Sequence, residues 1–207
     1  MNAIHQFHVR LAQGLCLLVA PALMAVSTFL WEGGEYGVYG GMVINISTLF
    51  WIPALAGLFG LLADEMPRYA IWGWVVVLYG CVGGFNFGFE GMYTALFHIL
   101  QETMLATAAE YPLPFNLTLW LPGPIFPLSL AVLSFWLVRK RATPVWTGVL
   151  LGVSALLFPA SRIPRIEWIA HAVDLLMLVP CAYLSRSLWP GARREFTNSE
   201  GEIYDKS

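Results

Sequence analysis

Glu167, His171 and Asp174 stand four and three residues apart in RIPRIEWIAHAVDLLMLVP, residues 162–180, a stretch that is otherwise mostly apolar. Residues at those spacings share one face of a helix. Two carboxylates and an imidazole in one stripe could relay a proton or ligate a metal ion. Cys181 extends the stripe two turns deeper. A second set begins in FNFGFEGMY, where Asn86 and Glu90 are one helical turn apart, and Thr94, His98 and Glu102 follow at the same step. Arg162 and Arg165 precede the first stripe, and Glu32 and Glu35 lie in WEGGEYG.

The elements that must position these groups are membrane helices. Of 207 residues, 58% are hydrophobic and only 12% charged, about half the charged share of a soluble domain. Six segments approach the ~20 apolar residues needed to cross a ~30 Å hydrocarbon layer. They are roughly 11–31, 41–62, 69–89, 117–138, 145–161 and 166–189. Unbroken apolar runs exclude the alternating pattern of a barrel, and lipid offers exposed backbone no partner. The sequence therefore predicts an all-α, polytopic integral membrane protein, with a six-helix transmembrane domain over 1–190 and a polar cytoplasmic tail over 191–207. The first apolar stretch is long enough to span, so it reads as an uncleaved helix rather than a signal peptide.

Residues 90–110 are too polar for an ordinary span, and one more crossing would place Arg139, Lys140 and Arg141 on the outer side. They are expected to form an outer amphipathic helix, lying on the surface or extending the third span. With both termini inside, the inner face holds Arg10, Arg68, Arg139, Lys140, Arg141, Arg186, Arg193, Arg194 and Lys206, and the outer face only Arg162 and Arg165. That asymmetry fits a bacterial-type cytoplasmic (inner) membrane or its equivalent, with N- and C-termini cytoplasmic. Small residues at four-residue steps (Gly80, Gly84 and Gly88; Gly148 and Gly152; Ala56 and Gly60) mark close helix packing. Pro21, Pro53, Pro122, Pro124, Pro127, Pro159 and Pro180 should kink or start helices.

On this topology His171 lies ~8 Å and Asp174 ~12 Å inside the outer boundary, at 1.5 Å per residue. An unpaired Asp there costs ~2.5–3.5 kcal/mol, so it should face the bundle interior and find a partner. The expected site is a polar pocket open to the outer face, built from Asn86, Glu90, His98, Glu102, Arg162, Arg165, Glu167, His171 and Asp174. Its walls would be the third and sixth spans and its roof the 90–110 helix.

Several activities compete for such a pocket. His98, Glu102, His171 and Asp174 are the metal-ligand candidates, and zinc there would suit a membrane-embedded hydrolase. No HExxH or GxSxG motif supports this. His98 and His171 could instead be axial ligands of a haem. A proton-labile His–Asp pair with broken helices would suit a proton-coupled transporter of small solutes. The three cysteines match no metal-ligand spacing, and a net charge of −2 without a long basic run argues against nucleic acid. Short loops and missing catalytic motifs favour a non-enzymatic role. The preferred expectation is an accessory or ligand-binding subunit of a membrane complex. Its partners would be the bilayer and other membrane subunits or further copies of itself.

Overall fold

The computed structural model describes residues 3–189. The expected tail 191–207, with Arg193, Arg194 and Lys206, lies outside the described residues. The elements are α1 (Ala3–Phe29), α2 (Gly37–Gly60), α3 (Pro67–Leu96), the short α4 (Gln101–Ala109), the single turn α5 (Pro112–Phe115), a π-helical turn (Asn116–Trp120), α6 (Pro122–Arg139), α7 (Val145–Arg162) and α8 (Glu167–Leu188). Among the described residues six helices are long and apolar enough to cross a membrane. The fourth of these spans joins α5, the π turn and α6 into one rod, Pro112–Arg139. The chain is an all-α polytopic membrane protein, as the hydropathy pattern predicts.

The spans form a closed ring. α1 packs on α2, α2 on α3, α3 on α6, α6 on α7, α7 on α8, and α8 returns to α1. Short loops in an up-and-down chain make sequence neighbours spatial neighbours. Each helix turns one face inward. Leu17, Ala20 and Met24 on α1, Leu130, Leu133 and Leu137 on α6, and Met177, Cys181 and Leu184 on α8 are buried. Their three- and four-residue steps trace one side of a helix. The outward faces carry Leu49, Phe135, Leu156 and Leu175, all well exposed. In water such a surface would aggregate. In a bilayer it is the lipid contact.

Lipid tails are as apolar as leucine, so close packing rather than water exclusion holds such helices together. Glycines supply the closeness. A Cβ on Gly83 would lie 2.8 Å from the backbone nitrogen of Gly123, and one on Gly80 would lie 2.6 Å from that of Phe126. Gly84 and Gly88 face the other way, against Thr48 and Asn45 of α2. The predicted glycine stripe thus seats α3 between two neighbours at once. Gly148 and Gly152 pack against Ser134, as expected of close-packing positions. Gly60 does not behave as expected, because nothing lies within 4 Å of its Cβ position. Gly57 makes the close approach instead, to Gln13 and Leu188.

The expected outer helix over 90–110 is divided. α3 continues to Leu96 and stops where His98 adopts φ +53°. The Ile99 N–H closes the end by bonding the Thr94 carbonyl at 2.9 Å. This left-handed cap usually needs glycine, but histidine is among the side chains that tolerate it. Only Gln101–Ala109 remains as a separate helix.

The start of the fourth span shows why Asn86 is polar. Pro122 has no N–H, which deprives the Thr118 carbonyl of its helical partner. The Leu121 N–H reaches back five residues to Asn116 at 2.8 Å, which frees the Leu117 carbonyl too. Two α3 side chains take their places. The Asn86 amide donates to the Thr118 carbonyl, and the Tyr79 hydroxyl donates to the Leu117 carbonyl. Freed carbonyls at membrane depth require such partners.

Candidate ligand-binding cavity

The ring encloses a cavity of about 400 Å³ near one end. Its wall comes from the α1–α2 loop (Trp31, Gly34, Glu35, Tyr36), α3 (Gly80, Gly84, Phe87, Glu90, Gly91), the π turn (Trp120), α6 (Gly123, Phe126, Pro127), and α7 with the turn after it (Phe158, Pro159, Arg162, Arg165). Glycine and proline positions leave the space, because they put no bulky side chain into it. Trp51 and Phe126 meet edge to face at 5.4 Å, and Phe126 meets Phe158 at 6.4 Å. Phe126 and Phe158 line the cavity, and Trp51 packs against Phe126.

Arg162 is the most constrained polar residue of the wall. Its Nη2 donates to Asp174 Oδ1 at 2.7 Å and its Nη1 to Thr28 Oγ1 at 3.0 Å. The Thr28 hydroxyl is 2.6 Å from Asp174 Oδ2, to which it donates. Asp174 is fully buried and the Arg162 side chain only 13% exposed. The guanidinium also lies 5.0 Å from the ring of Trp31 and 4.9 Å from that of Phe158, within cation–π range. Three helices, α1, α7 and α8, are tied together by this cluster. Asp174 therefore faces the ring interior and is paired, as the cost of an isolated charge requires.

Nearer the loops, Arg165 Nη1 donates to Glu35 Oε1 at 2.7 Å, with both side chains partly exposed. Such a pair contributes under about 1 kcal/mol, but both of its residues line the cavity. Arg165 has φ +53°, so the turn before α8 is held in a left-handed conformation. Burial pushes the Tyr36 phenol up from its ordinary pKa, with Arg162 opposing. Tyr36 thus offers the cavity a neutral O–H.

Of the nine expected site residues, Glu90, Arg162 and Arg165 line the cavity, and Asp174 stands behind Arg162. Asn86 serves the π turn instead. No α8 residue lines the space, so the sixth span is not a wall, and α4 does not roof it. Glu167, His98 and Glu102 are exposed. His171 does not hydrogen-bond Asp174. Its ring stacks on Phe29 at 4.1 Å and 24°, and its buried Nδ1 has no hydrogen-bond partner. Among the described residues no group of three or more His, Cys, Asp or Glu side chains is arranged to hold a metal ion. Of the four metal-ligand candidates, His98 and Glu102 are exposed, His171 stacks on Phe29, and Asp174 is bonded to Arg162 and Thr28. Thr28 carried no signal in the sequence beyond being a hydroxyl in an apolar run, and the aromatic lining reads there as interfacial belting.

Compared with family models, with curated proteins and with solved structures, the chain matches none of them.

Proposed function

We propose that this protein is a ligand-binding membrane protein, an accessory or receptor-like subunit that holds a small, largely apolar molecule inside its helical ring without turning it over. The observation that carries this reading is the cavity of about 400 Å³ lined by aromatic, glycine and proline residues, with a few charged groups. Such volume and lining match small-molecule sites in general: concave, mostly apolar, with few polar groups to orient the guest. Both arginines of the wall are spent on carboxylates, Arg162 on Asp174 and Arg165 on Glu35, which suits binding better than catalysis.

The cavity end is taken as extracytoplasmic. Arg10, Arg68, Arg139, Lys140, Arg141 and Arg186 lie toward the opposite end, against Arg162 and Arg165 here. The same asymmetry supports cytoplasmic termini in a bacterial-type inner membrane or its equivalent.

The test is binding in lipid nanodiscs, followed by fluorine NMR of para-fluorobenzyl alcohol. Saturable one-to-one binding above the partition into empty nanodiscs is expected. Uptake equal to that of empty nanodiscs at every concentration overturns the reading.

A further inference from the structure

The geometry points to an organic cation with an apolar body as the ligand class of this cavity, with Glu90 as its counter-ion. The inference rests on the binding reading above and specifies its occupant. Three acids and two bases surround the space, and their pairing is uneven. Arg162 is matched by Asp174, and Arg165 by Glu35, each at 2.7 Å. The Glu90 carboxylate lines the cavity and makes no hydrogen bond or ion pair among the described residues. The nearest cation of the wall, Arg165, is bonded to Glu35 and not to Glu90. With Glu90 ionised the wall lacks one positive charge, and a cation bound beside a carboxylate favours that ionised form.

The remaining lining suits the same guest. Tyr36, Phe87, Trp120 and Phe126 present aromatic surface to the cavity. Ring faces attract quaternary and protonated amines, and this attraction grows where water is excluded. Trp31 and Phe158 already do so for Arg162. An anionic guest would have to displace Asp174 or Glu35 from its arginine and would meet Glu90 as a like charge. An uncharged guest would leave Glu90 without a partner.

Three fluorinated probes of one shape class separate these cases in nanodiscs: para-fluorobenzyltrimethylammonium, para-fluorobenzyl alcohol and para-fluorobenzenesulfonate. The cation is expected to bind at least about tenfold more tightly than the alcohol, a factor within reach of one ion pair in a partly desolvated site. Glu90→Gln should remove about that factor for the cation and change the affinity of the alcohol by less than about threefold. Among the described residues the Glu90 side chain bonds nothing, so the variant should fold, and saturable alcohol binding verifies that it has. Equal affinity for cation and alcohol, tighter binding of the sulfonate, or a cation preference that survives Glu90→Gln each overturns the inference while the cavity reading stands. Absence of saturable binding by all three overturns both.

Discussion

Asp174→Ala is expected to destabilise the protein by about 3–5 kcal/mol, the range for removing one partner of a buried ion pair. The loss has two sources. Arg162 keeps its charge and its place beside Trp31 and Phe158 but loses the one carboxylate it bonds among the described residues. Thr28 loses an acceptor as well, so α1, α7 and α8 lose their common tie. Water can rescue a surface arginine, but this one is largely enclosed, and its Nε is already without a partner. The contrast is the double substitution Arg162→Met with Asp174→Leu. It removes both charges together and should recover most of the loss, because well-packed apolar replacements of buried pairs are often neutral. Steric trapping or thermal unfolding in detergent measures both. A double variant as unstable as Asp174→Ala alone would show that the charge pairing is not what the single change disrupts.

Trp51→Ala should cost about 2–4 kcal/mol by lost packing. Trp51 is 2% exposed and supports Phe126 from behind, edge to ring. In a soluble protein the loss would include transfer of the side chain out of water. In a bilayer the unfolded reference is already in apolar surroundings, so that contribution falls away and the void dominates. At ~24 cal/mol per Å³, a residual void of about 100 Å³ gives about 2.4 kcal/mol. The indole N–H of Trp51 has no partner in the fold, so its removal forfeits no hydrogen bond. The same change deepens the cavity, and larger aromatic probes should gain affinity. Urea-independent steric-trap unfolding reads the stability, and probe binding reads the volume. Stability within about 0.5 kcal/mol of the parent, the size of an ordinary surface substitution, would place Trp51 outside the packed core.

The helices were legible because membrane physics leaves little choice. Apolar length sets each span, and the small residues on α3 announced its two close contacts. The boundaries of the fourth span and the divided 90–110 region were less legible. His98 caps a helix where glycine is the usual signal, and Pro122 acts through carbonyls that side chains on another helix must satisfy. The site was readable in its charges but not in its geometry. The cost of a lone Asp174 called for a partner, and Arg162 was among the few outer cations. Spacing along α8 suggested a Glu167–His171–Asp174 wall, yet helix rotation turns only Asp174 fully inward. Nothing in a linear sequence reports that rotation. His171 stacks on Phe29 instead of meeting Asp174.

The central claim is that the ring holds a reachable cavity distinct from its lipid surface. Phe87→Cys on the cavity wall and Leu175→Cys on the lipid face, which is 54% exposed, test it directly. Both are made in a background with Cys16, Cys81 and Cys181 replaced, and both meet a membrane-impermeant cationic thiol reagent in nanodiscs. Labelling of Phe87→Cys, slowed by para-fluorobenzyltrimethylammonium, with Leu175→Cys inert, is the expected result. An unreactive Phe87→Cys, or equal rates at the two positions, would contradict it.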